Sequence, residues 1–412
     1  MPNDLSNLEF IVGIPSYMEA DSIGHVTQQV DQGLRTHFPG LKSAIVNVDN
    51  NSPDDTKSAF LSTATQTPKH YITTRPGVKG KGNNLFNLFK FGARHRSTLK
   101  AAVVVDADLF SITGEWIKHL GEPVLKGYDY VLPYYSRHQF DGTITNHICY
   151  PLLYGLLGED VRQPIGGEFG FSPALMSHWL DQTWTSTTRQ YGIDIFMSLN
   201  AITGGFKICE SGLGAKIHKA SAPKLGAMFT QVLTTLFNFL ASRKDVWLAS
   251  PVINTESKKR FGLQRLDPPQ ELRIDIRALK EQLRDEYFQR EHLLRKFLND
   301  YAIMNLENMF EQDHYHLDLL MWTQVVYQLL YCFDTGSPAV KKEIIEALKP
   351  LYFARSVTFD YMTWRYNVSS AEAAIASQAK AFASQKPYLV GLYMTDGKGR
   401  AVKAVHQRAG AA

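Results

Sequence analysis

The chain has 412 residues and a mass of 46.5 kDa, with 44% hydrophobic and 20% charged residues. That is apolar matter enough for two compact domains and too much for a disordered chain. Lys and Arg number 44 against 40 Asp and Glu; a net charge of +4 over so large a surface gives no electrostatic footing for wrapping nucleic acid.

Residues 1–10 carry neither a basic n-region nor an apolar h-region, and no run reaches the roughly 20 apolar residues of a membrane span. The expectation is a cytoplasmic protein with no membrane span. The nearest approach, residues 228–241, is interrupted by Thr, Gln and Asn and predicts a buried or amphipathic helix. Cys149, Cys209 and Cys332 form no C-x-x-C zinc pair and no even disulfide set, so they read as buried reduced thiols.

Along the first half, β-branched runs at 10–14, 44–48, 70–73, 101–105 and 130–133 predict strands. Between them, Ile23, Val26, Val30 and Leu34, then Leu85, Leu88, Phe89 and Gly92, recur at helical steps. This alternation predicts an α/β fold with a mostly parallel central sheet, and the unbroken apolar run at 101–105 fits a strand covered on both faces. After about residue 265 the pattern changes. Leu272, Ile276, Leu279, Leu283 and Tyr287 recur at steps of 4, 3, 4 and 4, with Pro268 and Pro269 read as the helix start. Helical patterns follow at 317–333, 340–348 and 370–384. The expected division is residues 1–265 as an α/β domain and 266–412 as a mainly α-helical domain with a basic tail that frays from about 397. The apolar faces of the helical half point to a homodimer interface.

Asp106-Ala107-Asp108 ends an apolar strand in two carboxylates. In an open α/β sheet the ligand lies beyond the carboxyl ends of the strands, and two hard oxygen donors suit Mg²⁺ or Mn²⁺ bridging a diphosphate. The same motif also occurs as a turn cap. The segment from Pro15 to Glu19 follows the first strand, and Asp49-Asn50-Asn51-Ser52 follows the second as an acidic turn able to read a base or ribose, or to cap the next helix. Gly77, Gly80 and Gly82 interleave with Lys79 and Lys81 after the third, where backbone and cations could steady a diphosphate; Lys79 is the preferred cation. Neither a Walker A loop nor a G-x-G-x-x-G fingerprint is present.

Taken in order, Pro15 and Glu19, the turn from Asp49 to Ser52, Gly80-Lys81-Gly82 and Asp106-Ala107-Asp108 resemble a GT-A fold glycosyltransferase. Three later motifs narrow this: Arg137 through Asp141-Gly142-Thr143-Ile144-Thr145, Gln163-Pro164-Ile165-Gly166-Gly167-Glu168, and Tyr191-Gly192-Ile193-Asp194 followed by His218. With these, residues 8 to 220 resemble the retaining mannosylglycerate synthase and glucosyl-3-phosphoglycerate synthase families. The resemblance implies a UDP- or GDP-hexose donor and a small carboxylate acceptor such as glycerate or 3-phosphoglycerate. It places Pro15, Glu19, Asp49, Lys79, Asp106 and Ala107 on the donor. It assigns Asp106, Asp108 and His218 to the metal. Arg137, Asp141, Gly142, Thr143, Ile144 and Thr145 fall to the acceptor, as do Ile165, Gly166 and Gly167, while Glu168 and Asp194 are put near the sugar as the catalytic carboxylates. After His218 the sequence departs from the pattern: Lys219-Ala220-Ser221-Ala222-Pro223 stands where an Arg and a Tyr are expected. Two further readings stand beside this one: an inverting transferase acting on polysaccharide or lipid-linked acceptors, and a nucleotide-sugar-binding protein without turnover.

Overall fold

In the computed structural model, residues 5–219, 225–249, 255–265, 267–272, 274–312 and 314–395 are described below. The frayed tail expected from 397, and residues 220–223 of the departure after His218, lie outside them. The chain divides into two compact units interleaved in sequence. The first comprises Met1–His138, Val161–Leu236 and Ser257–Glu271; the second comprises Gln139–Asp160, Phe237–Glu256 and Leu272–Ala412. The single cut expected at 265 is therefore replaced by several crossings of the chain. Each unit recruits segments that are distant in sequence, which composition along the chain does not show.

The first unit is built on an eight-stranded sheet. Its strands are β1 (Phe10–Ser16), β2 (Ser43–Asp49), β3 (Lys69–Thr73), β4 (Ala101–Val104), β5 (Tyr130–Ser136), β6 (Phe169–Phe171), β7 (Ile208–Ala215) and β8 (Arg260–Gly262). The order across the sheet is β8-β7-β5-β6-β4-β1-β2-β3. Every neighbouring pair is parallel except those made by β6, which runs antiparallel to both β4 and β5. The five strands expected from the sequence are all present. β6, β7 and β8 are additional; β6 and β8 are three residues each, too short for a periodicity to register.

Alternation along the strands assigns side chains to two cores, as a period of two requires. Ile11, Val46, Val48, Ala102 and Val104 pack beneath Leu85, Leu88 and Phe89 of helix Lys81–Ala93. Phe10, Val12, Ile14, Ile45, Val103 and Val105 pack on the other face against Val26 and Val30 of helix Ile23–His37 and Trp116 and Leu120 of helix Gly114–Leu125. Covering both faces accounts for the unbroken apolar run of β4.

The second unit is helical. Its long helices are Ile276–Phe297, Asp300–Glu311, Leu319–Thr335, Pro338–Thr363 and Val368–Met394. The first begins later than the prolines suggest. Asp275, not Pro268 or Pro269, caps it, its Oδ1 accepting from the Arg277 and Ala278 N–H groups at 3.0 and 3.1 Å. Tyr150, Phe359, Ile375 and Ala379 form part of its core. Among the described residues one helix, Leu225–Ser242, is long and apolar enough to cross a membrane by length and composition, and 44% of that window is buried.

Within the second unit Asp360 is 2% exposed and its Oδ1 has no hydrogen-bond partner among the described residues. Burial pushes its pKa from 3.8 up to about 7. A raised folded-state pKa means that its contribution is fully present below the unfolded value and is lost as pH rises toward the folded one. Ionisation thus costs the folded state on the order of 2–4 kcal/mol. Asp360→Asn is expected to match the parent in urea unfolding below the ordinary carboxylate pKa and to exceed it increasingly up to about pH 7. A stability gap independent of pH would refute this account.

Candidate active site

The parallel strands deliver their carboxyl ends to one edge of the sheet. β1 leads into Ser16, Tyr17 and Glu19, β4 into Asp106 and Asp108, β5 into Arg137, and β7 into Lys216 and His218. The antiparallel β6 brings the opposite end of its chain there. Phe169 pairs with Val104, so Gly166, Gly167 and Glu168 arrive beside Asp106. Two helix starts complete the edge: Lys81 opens helix Lys81–Ala93, and Asp194 lies in the first turn of helix Ile193–Thr203. Together these residues surround a cavity of about 400 Å³ in the first unit.

At its floor, carboxylates and ammonium groups alternate. Lys81 Nζ lies 2.9 Å from Asp106 Oδ1 and 3.2 Å from Asp194 Oδ2. Lys216 Nζ lies 3.1 and 2.8 Å from the two Glu168 oxygens, 2.8 Å from the Gly166 carbonyl and 3.9 Å from Asp106 Oδ2. The Tyr135 hydroxyl also donates to Glu168. Burial opposes the charge of Lys81, yet Asp106, Asp194 and Glu168 hold its pKa above the usual lysine value. Burial likewise opposes ionisation of Asp106, but Lys81 and Lys216 outweigh it and its pKa is lowered. Glu168 is pushed up to about 7 by burial, with Lys216 working in the opposite direction. Asp194 is raised, again by burial, and Lys81 moderates the rise.

Gly167 is required by this packing. Its φ of +102° suits glycine, and a Cβ there would fall 2.6 Å from Asp106 Oδ2 and 3.1 Å from Lys216 Nζ.

Most of the residues expected from the sequence line the cavity: Pro15, Glu19, Lys79, Asp106, Ala107, Asp108, Arg137, Ile165, Gly166, Gly167, Asp194 and His218. Several do not. Asp49 is fully buried; its Oδ1 accepts from the Ser16 and Ser52 hydroxyls at 2.9 and 2.6 Å, and its Oδ2 from the Ser52 N–H and Tyr71 hydroxyl at 2.7 and 3.0 Å. Four donors satisfy the carboxylate, so Asp49 fixes the loop, and its neighbour Asn50 is the residue of that turn that faces the cavity. Glu168 is wholly buried beneath Lys216 and Tyr135 and is not part of the lining. Its carboxylate is held by Lys216 and Tyr135 at the floor. Asp141, Gly142, Thr143, Ile144 and Thr145 belong to the second unit, whereas the cavity walls all come from the first. Within the second unit, the Gly142 N–H donates to Asp141 Oδ1 at 2.8 Å, Thr143 pairs with the Tyr352 hydroxyl, and Ile144 and Thr145 are buried.

Lys79, the expected diphosphate cation, donates to the Tyr17 hydroxyl at 2.6 Å at the cavity mouth. Lys81 and Asn50 lie in loops that the sequence marks as able to meet a ligand, with Lys79 and Asp49 preferred there, whereas Lys216 and Asn84 are given no role of their own. Lys81 stood in the quoted Gly80-Lys81-Gly82 triplet, and Lys216 is two residues before His218, which a strand-end criterion would have found. Three lining side chains present buried oxygens with no hydrogen-bond partner among the described residues: Asn50 Oδ1, Asn84 Oδ1 and Asp194 Oδ1. Buried acceptors left so are costly unless a ligand supplies donors.

Backbone pairing brings Asp108 and His218 together. Leu109 and His218 form an antiparallel bridge, the Phe110 N–H donates to the Ile217 carbonyl at 2.9 Å, and the Ile217 N–H donates to the Ser111 hydroxyl at 2.9 Å. Burial first, then the charge of Asp106, raises the Asp108 pKa. A cation would relieve both. No group of three or more His, Cys, Asp and Glu is arranged as a metal cage among the described residues. The donors present fit Mg²⁺ or Mn²⁺, which take one or two protein ligands and complete the shell with water and phosphate oxygens, better than they fit a four-ligand structural zinc.

Lys219, considered above only as part of the departure after His218, has its Nζ 2.7 Å from Glu19 Oε2 and 2.5 Å from Asp21 Oδ1. It ties the exit of β7 to the loop after β1.

Residues 49–233, somewhat less than half of the chain, match the family model described as mannosylglycerate synthase, GT domain. No curated protein matches. Among solved structures, glucosyl-3-phosphoglycerate synthase from Mycobacterium tuberculosis in complex with Mn²⁺, UDP and phosphoglyceric acid is 23% identical, covering 56% of this chain and 78% of that chain with a TM-score of 0.46. The complex of that enzyme with Mg²⁺ and UDP is 22% identical over 56% and 79%, with a TM-score of 0.46.

Proposed function

We propose that this chain, whose residues 49–233 form a glycosyltransferase domain of the mannosylglycerate synthase type, moves a hexose from a nucleotide diphosphate sugar to a small carboxylate of the glycerate type. The reading includes dependence on Mg²⁺ or Mn²⁺ and retention of the anomeric configuration. The observation that carries it is the gathering in one cavity of three unpartnered buried acceptor oxygens with the Asp108 and His218 pair. Such a site suits a ligand rich in hydroxyl and N–H donors joined to a metal-bridged anion.

In this reading Pro15, Tyr17, Glu19 and Asn50 border the nucleoside, and Asp108, His218 and Asp106 hold the metal. A divalent ion there supplies positive charge where the leaving diphosphate becomes more negative. Lys79 adds a cation at the mouth. Asp194, kept in place by Lys81 through one oxygen, offers the other to a sugar hydroxyl. Arg137 receives the acceptor carboxylate, for which a guanidinium is geometrically suited. A retaining transfer in which the leaving phosphate oxygen takes the acceptor proton needs no side-chain base. In an inverting transfer, Asp194 would be the base, since it is the lining carboxylate with a buried unpartnered oxygen and a pKa raised by burial.

A panel of UDP- and GDP-hexoses against glycerate and 3-phosphoglycerate with Mg²⁺ or Mn²⁺, read by mass spectrometry, tests the function. An α-linked glycoside from an α-linked donor is expected; a β-linked product would overturn retention, and absence of transfer from every donor would overturn the reading. Arg137→Ala is expected to raise the acceptor KM by about tenfold or more while the donor KM changes by less than about twofold. Equal effects on the two would remove Arg137 from the acceptor.

A further inference from the structure

Besides the residues placed on donor, metal and acceptor, helix Lys81–Ala93 brings Asn84 to the wall of the cavity in the first unit. The start of that helix is fixed from outside. The Gly82 and Asn83 N–H groups donate to the Gln190 and Arg189 carbonyls at 3.1 and 3.0 Å, and the Asn84 N–H donates to the Gly80 carbonyl at 3.3 Å. Gly82 permits this approach, because a Cβ there would fall 2.0 Å from the Thr188 carbonyl oxygen. The backbone of Asn84 is thus held in position before any ligand arrives.

Asn84 is 1% exposed and lines the cavity. Its Nδ2 donates to the Ser16 carbonyl at 3.1 Å, and that bond decides which way the amide points: a carbonyl only accepts, so the nitrogen faces Ser16 and Oδ1 faces away from it. Asn84 Oδ1 has no hydrogen-bond partner among the described residues. The Ser16 carbonyl also accepts from the Asn50 N–H at 3.0 Å, so two donors fill its acceptor capacity. Asp49, which accepts from the Ser16 hydroxyl, is likewise filled by four donors. Two neutral amide oxygens, Asn84 Oδ1 and Asn50 Oδ1, are left unfilled around the end of β1, and of the two Asn84 has its orientation set by a side-chain bond.

A buried acceptor held open in this way is costly unless a ligand supplies an N–H or O–H. It has nothing to offer a phosphate oxygen, which is itself an acceptor, so the group it meets is not the diphosphate. Through Ser16 it is tied to the segment that carries Pro15 and Tyr17 and to Asn50, the residues that border the nucleoside in the reading above. We infer that Asn84 is a specificity-determining residue of the cavity, whose Oδ1 accepts a hydrogen bond from the ring N–H of the base or from a ribose hydroxyl of the nucleotide sugar. The inference rests on the nucleotide-sugar function proposed for this cavity and adds to it a residue that probes the nucleoside for a hydrogen-bond donor.

Calorimetric titration of the full chain with UDP and with GDP, each with Mn²⁺, tests it, followed by three analogues of whichever binds more tightly: one methylated at the ring N–H of the base, one 2′-deoxy and one 3′-deoxy. In the parent, at least one analogue is expected to bind about tenfold or more weakly than the natural nucleotide, since it leaves Asn84 Oδ1 without a donor. Asn84→Ala is expected to bind the natural nucleotide about tenfold more weakly than the parent does, and to bind that analogue and the natural nucleotide equally to within about twofold. Asn84→Leu, which keeps the bulk and lacks the acceptor, should lose the discrimination in the same way, and thermal unfolding shows that each variant is folded. A residue that only supported Ser16 would weaken every nucleotide alike and leave the ratio between them as it is in the parent. Binding of neither UDP nor GDP by the parent would overturn the function proposed for the cavity and this assignment with it. With a nucleotide bound, equal affinity for all three analogues in the parent, or a ratio unchanged in the folded Asn84 variants, would overturn the assignment alone and leave the function standing.

Discussion

Asp108→Ala and His218→Ala are each expected to reduce metal-dependent transfer by about 10³-fold or more, because each removes one of the three side chains proposed for the metal, two of which the Leu109–His218 bridge brings together. The loss belongs in kcat and in the half-saturating metal concentration, with Mn²⁺ rescuing His218→Ala less well than Asp108→Glu. Both side chains lie at the cavity surface, so unfolding midpoints should move little. The measurement is initial rate against Mg²⁺ or Mn²⁺ concentration with the donor saturating. Parent-like rates in either alanine variant would remove the metal from this place.

Lys216→Met is the second large effect, and here the expected loss is of stability as well as rate. Lys216 is the only lysine or arginine within ion-pair distance of Glu168 among the described residues, and Glu168 is completely buried. Removing one partner leaves a buried carboxyl that must be protonated or carry an uncompensated charge, a loss of about 3 kcal/mol. The sign with pH follows from the same linkage. With its pKa already raised to about 7 and Lys216 lowering it, Glu168 should rise further in the variant, so the deficit is smallest at low pH and grows as pH rises through and above that value. The double variant Lys216→Met/Glu168→Gln should recover most of it, since no charge remains to be compensated. Urea unfolding at acidic and mildly alkaline pH checks both statements. A single variant within about 0.5 kcal/mol of the parent at every pH would contradict the role given to the pair.

Several parts of the site were legible before any coordinate. Asp106 and Asp108 follow an apolar run that fits a doubly covered strand, and a strand end of that kind is where an α/β sheet binds ligands. Gly166 and Gly167 came from the resemblance, and the structure gives the physical reason for glycine there, since a Cβ would fall 2.2 Å from Pro133 Cγ and 2.6 Å from Asp106 Oδ2 respectively. Asp49 was placed at the ligand as the carboxylate of an acidic turn and by the resemblance, and Glu168 by the resemblance alone. The tertiary structure instead surrounds each with donors, four on Asp49 and a lysine and a tyrosine on Glu168. Hydrogen bonds between residues 33 positions apart, such as those from Ser16 to Asp49 and from Tyr135 to Glu168, leave no periodic trace.

By itself, then, the sequence determined the α/β class, the parallel strands and most of the chain segments that line the cavity, because hydrophobic period and strand-end composition are local quantities. The interleaving of the two units, the antiparallel β6 that sets Gly167 against Asp106, and the choice of Lys81 and Lys216 as the inner cations were decided only in three dimensions. Which charge is buried, and against which partner, depends on segments that meet from opposite ends of the first unit. A net charge of +4, nearly balanced over 412 residues, conceals a row of alternating ions whose protonation states exist only once the fold has removed them from water.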